Sequence, residues 1–347
     1  MKTITQPQTS KPTRRSQITE APPTMTANLP SNIDSRPVTV VGAGTLGRRI
    51  ALMFATQGGE VRIFDKVAGA REAAVTYVER KLPKVIKTVV TDGTVGVITP
   101  SDDLAEALKG AWLVVEAVPE LLDLKKQVFG QLDALADQDA VLASNSSSYP
   151  TRTFLDNVKH PERLLNLHFY MPPDENAADI MGNEHTDHRL IELLLQQLPR
   201  FGVHPFEAHK ESVGFIFNRI WAAIKRESLT VVAEGVSTPR DVDEMWKLNM
   251  GSKSGPFRLM DAVGLDIVLE IENHYLNSFP NLPTTARDFV KRYVDAGKIG
   301  RKSGEGFYND YGDDAQSNSG PSAASRPFSP RVSRTSKVIS QPKTRAA

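Results

Sequence analysis

The sequence predicts an α/β domain built on a doubly wound parallel sheet, then an all-α domain, with a disordered tail at each end. Three observations carry that expectation. A short β-branched run, Val38-Thr39-Val40-Val41, passes at once into the glycine turn Gly42-Ala43-Gly44-Thr45-Leu46-Gly47 and a helical stretch. Strand-like and helix-like segments then alternate as far as His168, the pattern of parallel strands joined by crossover helices. From Val213 onward the segments have helical spacing.

The expected boundaries are a tail over 1–36, a sheet domain over 37–210, a helical domain over 211–311 and a second tail over 312–347. Residues 1–36 hold seven Thr, four Ser and five Pro, and residues 312–347 hold eight Ser and four Pro. Such segments bury too little apolar surface to offset chain entropy. The tails carry net +3 and +4, so the near-neutral total of +1 conceals a central part at −6. That balance argues against nucleic acid as a partner. The absence of cysteine excludes a disulfide framework, a thiolate metal site and a Cys nucleophile, and no metal is expected. No run of about 18 apolar residues suggests a membrane span. A cytoplasmic location is expected. A mitochondrial leader is the alternative, because Lys2, Lys11, Arg14 and Arg15 precede the first acid, Glu20, although the prolines oppose an amphipathic helix. The chain ends Arg345-Ala346-Ala347, which is not the usual peroxisomal signal.

The sheet domain reads in order. Val38–Val41 is a buried strand, Arg48–Gln57 a helix, and Val61–Phe64 a second strand that ends at Asp65. The turn between them is G-x-G-x-x-G in the context that makes it a dinucleotide-binding fingerprint. Gly42 permits the tight turn, Gly44 lets the backbone approach a pyrophosphate, and Gly47 lets helix and strand pack closely. With Thr45 and Leu46 they open a helix whose N-terminal N–H groups favour phosphate. Asp65, 23 residues after Gly42, is placed to accept the ribose hydroxyls and disfavours a 2′-phosphate, so NAD is expected over NADP; Lys66 beside it blurs the preference. Ser101 or Asp102 is the expected cap of a helix over Leu104–Leu108. The strand Ala111–Val115 leads to Glu116 and Glu120, a helix covers Leu121–Leu135, and the strand Ala140–Ala143 leads to Ser144-Asn145-Ser146-Ser147-Ser148. Glu120 and the Asn145–Ser148 cluster lie just past strand ends, where open α/β sheets hold ligands. A turn or helix cap is the alternative reading of that cluster.

The strand Arg163–Leu167 leads to His168, a candidate general base at its end. The other histidines lack polar company of this kind, His185 and His188 falling in a polar turn. A helix over Val213–Glu234 carries the stripe Val213, Ile216, Ile220 and Ile224, with Asn218 on a neighbouring stripe. A buried Asn needs a partner, whether backbone, water or a substrate oxygen. Further helices are expected over Arg240–Leu248, Phe257–Ala262, Leu265–Phe279 and Ala286–Ala296.

Taken together, the chain resembles the 3-hydroxyacyl-CoA dehydrogenase family from Val38 to Tyr311. The landmarks are the glycine turn, Val114-Val115-Glu116-Ala117-Val118-Pro119-Glu120, Ala143–Ser148, His168-Phe169, Gly214-Phe215-Ile216-Phe217-Asn218-Arg219, Gly255-Pro256-Phe257, Asp261–Asp266 and Gly304-Glu305-Gly306-Phe307-Tyr308. The resemblance implies a Rossmann NAD domain, a helical C-terminal domain, a homodimer, and the chemistry of fatty acid β-oxidation. It places the catalytic histidine on His168, the active-site serine on Ser147 and the asparagine on Asn218. His168 is implied to take the proton of a substrate 3-hydroxyl as hydride leaves carbon 3. Ser147 and Asn218 are implied to hydrogen-bond the reacting oxygen. The implied NAD contacts are Gly42, Gly44, Thr45, Leu46, Gly47, Asp65, Glu120, Lys125, Asn145, Ser147 and Lys302.

Three positions depart from the family pattern. The glutamate that orients the histidine is matched best by Asp179, displaced by one position, with Asp174, Glu175 and Glu184 as alternatives. Met171 stands where the family commonly has an asparagine near the nicotinamide. The lysine-rich helical hairpin that reaches CoA is reduced to Ala70–Val90, interrupted by Pro83, with Arg80, Lys84 and Lys87 on a face that the proline puts in doubt. The implied substrate is a 3-hydroxyacyl-CoA; a small free hydroxy acid is the second reading, and a weakly active NAD-binding scaffold or sensor the third. An anionic partner for the basic residues between Arg326 and Arg345 is set against a plain solvated linker.

Overall fold

The computed structural model describes residues 26–311. Residues 1–25 of the tail expected over 1–36, with the basic run Lys2 to Arg15, and the whole tail expected over 312–347, with the cluster from Arg326 to Arg345, lie outside the described residues. Eight strands form one sheet: β1 (Val38–Val41), β2 (Glu60–Phe64), β3 (Val97–Ser101), β4 (Leu113–Glu116), β5 (Val141–Ser144), β6 (Leu164–Met171), β7 (Glu175–Gly182) and β8 (His204–Glu207). Their order is β3-β2-β1-β4-β5-β6-β7-β8. Neighbours pair in parallel except β6 and β7, which are antiparallel. The order reverses at β1 and β4, which opens a crevice beyond their carboxyl ends.

The helices α1 (Thr45–Phe54), α2 (Ala68–Thr88), α3 (Leu104–Leu108), α4 (Leu122–Leu135) and α5 (His188–Gln197) accompany the sheet. β1, β4, β5 and β6 are buried along their whole length, as parallel strands covered on both faces must be. One core gathers Val40, Ile50, Phe54, Val115, Phe169 and Ile180; the other gathers Val114, Phe129, Leu142, Phe154 and Leu164. α1 lies against β1 because Gly47 has no side chain: a Cβ there would sit 1.8 Å from the Gly42 carbonyl oxygen. Gly42 itself, at φ 111°, takes a backbone shape that other residues rarely adopt.

The helical part consists of α6 (Phe217–Ala233), α7 (Pro239–Met250), α8 (Pro256–Val263), α9 (Leu265–Ser278) and α10 (Thr285–Asp295) around Leu229, Phe257, Met260, Val268 and Val290. Asp243 accepts hydrogen bonds from the first N–H groups of α8, and Asp261 accepts them from Phe307 and Tyr308, which ties the last described segment to the bundle.

Several expectations are corrected. Residues 26–36, placed in the tail by composition, fold against the sheet part. Ala27 is buried, and the Arg36 guanidinium grips Asp139 through two hydrogen bonds while donating to the carbonyls of Gly110 and Ala111. α3 is capped by Asp103, which accepts from the N–H groups of Ala105 and Glu106, rather than by Ser101 or Asp102. β3, an edge strand containing Pro100, was not foreseen, nor were β7, β8 and α5. His188 is the first residue of α5, capped by Asp187, instead of part of a turn. α6 starts at Phe217 rather than Val213, because Gly214 and Phe215 both have positive φ. Its buried face is Ala222, Lys225 and Leu229, so the Ile216 and Ile220 stripe points outward.

Pro83 does not break α2, which runs 21 residues through it. The proline is exposed, so its ring meets water while the turn beneath loses one backbone hydrogen bond. An interior proline costs about 3 kcal/mol against alanine, and its stiffening of the unfolded chain returns up to about 1 kcal/mol. Pro83→Ala is therefore expected to raise stability by about 2–3 kcal/mol. The check is a higher urea midpoint at unchanged slope.

Candidate active site

The crevice beyond β1, β4 and β5 gathers most of the residues singled out in the sequence. At its first wall no side chain caps α1, so the N–H groups of its first turn remain available to a ligand. A Cβ at Gly44 would meet nothing within 4 Å, which is the open cradle that a pyrophosphate requires. Asp65 follows β2 with its carboxylate half-buried; Oδ2 accepts from the Ala43 N–H at 2.8 Å and Oδ1 from the Val67 N–H at 2.9 Å. It thus braces the glycine turn, and each oxygen keeps a lone pair for a ribose hydroxyl. Thr45 and Leu46 complete that first turn, both half-buried. These groups fit a dinucleotide without a 2′-phosphate.

The second wall rests on a buried ion cluster. Glu116, at the end of β4, is fully buried and accepts from Lys125 Nζ at 2.7 Å and Ser144 Oγ at 2.7 Å. Lys125 reaches Glu120 as well, at 3.2 Å. Glu120 in turn accepts from Ser146 Oγ at 2.5 Å and the Ser148 N–H at 3.0 Å. Burial pushes the Glu116 carboxyl above its ordinary range, while Lys125, Ser144 and the Val118 N–H pull it back. Lys125 is buried with its ammonium spent on the two glutamates, so it holds Glu120 and the Ser146–Ser148 turn in place. Ser147 alone in this turn is exposed, with the Ser148 hydroxyl 3.5 Å from its own. Asn145 Oδ1 accepts from the Phe169 N–H at 2.8 Å, which ties the cluster to β6 beside His168.

His168 lies inside β6, three residues before Met171, rather than at a strand end. Directly opposite on β7 is Asp179. The imidazole Nδ1 stands 3.6 Å from Asp179 Oδ2, too far for a hydrogen bond, and among the described residues no other acceptor or donor meets it. Asp179 Oδ2 accepts instead from the Tyr170 hydroxyl at 2.7 Å. Phe215, from the segment entering α6, stacks on the imidazole at 5.2 Å with rings 2° from parallel. The three alternatives to Asp179 sit elsewhere: Asp174 pairs with Arg49, Glu184 with His185, and Glu175 faces Met171 across the hairpin. Asn218, in the first turn of α6, is half-buried and adjoins Tyr170 through its backbone. Lys302 is tied to Asp266 at 2.6 Å in the helical part, and among the described residues no hydrogen bond or ion pair joins it to the crevice.

The sequence reading missed Tyr170, Phe215 and Glu116 as parts of the site. Tyr170 carried a usable signal, since two residues after His168 on a strand is the same face. Glu116 was visible as a strand-end acid, but its partner Lys125 is one helix away. Phe215 depends on the positive φ of its own residue and had no sequence signal.

Lys125→Met leaves Glu116 buried without its cation, and breaking such a pair costs about 3–5 kcal/mol. Because the carboxyl is then more basic folded than unfolded, the folded state binds its proton more tightly and stability falls as pH rises. The deficit is expected in full at alkaline pH and reduced in acid as Glu116 takes up a proton, read from urea midpoints across pH.

Comparison with known proteins agrees with this geometry. The family model described as "3-hydroxyacyl-CoA dehydrogenase, NAD binding domain" matches residues 37–212, and "3-hydroxyacyl-CoA dehydrogenase, C-terminal domain" matches residues 214–310. A 3-hydroxybutyryl-CoA dehydrogenase of Clostridioides difficile is 30% identical over 279 residues, 78% of this chain and 98% of that protein. A 5-formyl-3-hydroxy-2-methylpyridine 4-carboxylate 5-dehydrogenase of Mesorhizobium japonicum is 31% identical over 288 residues, 79% of this chain and 90% of that protein. The crystal structure of (S)-3-hydroxybutyryl-CoA dehydrogenase from Ralstonia eutropha superposes with a TM-score of 0.71 at 28% identity, covering 79% of this chain and 98% of that one. The sheet order, the glycine turn with its acid and the two matched domains make this chain a member of the 3-hydroxyacyl-CoA dehydrogenase family of NAD-dependent oxidoreductases.

Proposed function

We propose that the protein interconverts a 3-hydroxyacyl-CoA and its 3-oxo form with His168 as general base. The observation that carries this reading is the buried imidazole facing Asp179 across the hairpin, with Phe215 stacked against it. Its Nδ1 faces Asp179, so Nε2 is the atom left to take the hydroxyl proton, and the carboxylate favours the imidazolium that results. Bound NAD supplies the hydride acceptor for such an oxidation. Ser147 and Asn218 donate to the reacting oxygen and stabilise its developing charge. Gly44, the first turn of α1, Asp65 and Glu120 hold the dinucleotide.

The thioester reading draws on α2. Because the helix is continuous, Arg80, Lys84 and Lys87 recur at i, i+4 and i+7 on one exposed face that suits the phosphates of CoA. The second reading, a small free hydroxy acid, is favoured by the form of that segment: a single helix joins β2 to β3, with no second helix to make a hairpin. A relative named for a small pyridine carboxylate supports it. We also propose a homodimer, formed through the helical part, where Ile216 just before α6, Ile220 of α6 and Met245 and Leu248 of α7 are exposed.

Rates with acetoacetyl-CoA and with free hydroxy acids decide between the substrates. The thioester is expected to turn over, and turnover of free acids alone would establish the second reading. His168→Gln is expected to lower kcat by about 10²–10⁴-fold while NADH affinity stays unchanged. Full turnover untouched by that change would remove His168 as the base, whereas bound NADH with only a residual turnover that the change leaves alone would establish the third reading, a weakly active NAD-binding scaffold. Reversing Arg80, Lys84 and Lys87 to Glu is expected to raise KM for the thioester by about tenfold or more, since each lost phosphate contact is charge-assisted, and to leave NADH binding alone.

A further inference from the structure

We infer that Tyr170 is a positioning residue that sets how strongly Asp179 supports the His168 base, by sharing the carboxylate oxygen that faces the imidazole. The inference rests on His168 serving as the base. Residues 168 and 170 project from the same face of β6, and their rings meet edge to face at 4.8 Å. The Tyr170 hydroxyl donates to Asp179 Oδ2 at 2.7 Å, the same oxygen that stands 3.6 Å from His168 Nδ1. Among the described residues Nδ1 has no other partner, so the imidazole and the phenol compete for one acceptor, and in this arrangement the phenol has it.

The competition has a direction. A carboxylate oxygen that already accepts a short hydrogen bond is a weaker acceptor for a second donor, so Tyr170 loosens the hold of Asp179 on the imidazole. The phenol keeps its proton over the working range: burial and then the adjacent Asp179 charge push it far above its ordinary value, against the backbone N–H groups of Asn218 and Phe217. Those N–H groups belong to the start of α6, and the Phe217 ring lies edge-on to Tyr170 at 5.9 Å. Tyr170 therefore links the base's partner in the sheet to the first turn of the helical part. Among the described residues, Asp179 is the charged group recorded against this imidazole; Phe215 and Phe217 from the α6 side and Asn145 from the β5 side carry no charge.

The test is the pH dependence of kcat/KM for oxidation in the full-length protein, compared for wild type, Tyr170→Phe, Asp179→Asn and the double variant. Removing the hydroxyl frees Oδ2 for the imidazole, so Tyr170→Phe is expected to move the acidic limb upward by about 0.5–1 pH unit. In the Asp179→Asn background the same change is expected to leave the limb where it is. A residue that only fills space would lower the plateau and leave the limb in place; an unmoved limb, or an equal shift in both backgrounds, overturns the inference. Should the phenylalanine variant fail to fold, 3,5-difluorotyrosine placed at position 170 keeps the shape and donates more strongly. It is expected to move the limb downward, and no movement overturns the inference equally. An NMR titration of the His168 imidazole, identified by its loss in His168→Gln, reads the same shift without turnover. A shifted imidazole in an enzyme whose activity survives His168→Gln would remove the catalytic reading and keep the coupling; an unshifted imidazole removes the coupling alone.

Discussion

The antiparallel register of β6 and β7 is the constraint on which the site depends. It sets His168 opposite Asp179, and Leu167 opposite Ile180. Side chains alternate along a strand, so Leu165, Leu167 and Phe169 of β6 and Ala178 and Ile180 of β7 face one core, while His168, Tyr170 and Asp179 face the other way. A slip of one residue would drive the Asp179 carboxylate into that core and expose its apolar neighbours. Hydrophobic burial therefore enforces the register that the chemistry needs. Asn145 adds a polar pin by accepting the Phe169 N–H, which fixes β6 against the turn after β5.

A second constraint is electrostatic. The central part of the chain carries −6, yet it is built to hold an anionic dinucleotide. Bulk charge opposes that task, so the attraction has to be local. The uncapped first turn of α1 supplies it through backbone dipoles, and the open space at Gly44 lets phosphate come close. Across the crevice, Lys125 offsets Glu116 and Glu120, so the wall formed by β4 and β5 does not present two bare carboxylates. The lysine acts through arrangement: it holds Glu120, and Glu120 holds Ser146 and Ser148.

The parts legible in the sequence were those whose physics is local. The turn from Gly42 to Gly47 needs glycine for backbone shape and close approach, so the residue types declare the structure. The β1, β4 and β5 runs are apolar because both faces are buried, and α4 and α8 to α10 fell within a residue or two of their observed bounds. The failures follow from non-local causes. β3 and β8 are sheet-edge strands half open to solvent, with a proline in each, and read as loops. β7 carries charged and amide residues where it leaves the turn, and only pairing with β6 makes it a strand. The outward stripe of α6 looked like a core face because periodicity reports a face and not what covers it. Pro83 was read by its average effect, whereas tertiary packing of Ala74, Val78, Leu82 and Val85 keeps α2 continuous.

Burial of His168 is also a property of both parts of the fold at once. The sheet part supplies His168, Asp179 and Tyr170, and the His168 side chain, only 8% exposed, is stacked flat against Phe215. Phe215 reaches that position through consecutive positive φ angles at Gly214 and itself, and Gly214 is packed so tightly that a Cβ would meet the Tyr275 hydroxyl at 2.1 Å. α9 thus fixes the bend that lays Phe215 over His168, with the Tyr275 hydroxyl also directed at the Val213 carbonyl oxygen. From the other side, Tyr170 meets Phe217 at the start of α6. Drying the imidazole strengthens every interaction it makes with Asp179, since the effective dielectric falls as water leaves. The helical part therefore completes the enclosure of His168, and the segment from Val213 to Asn218 is where the two parts meet.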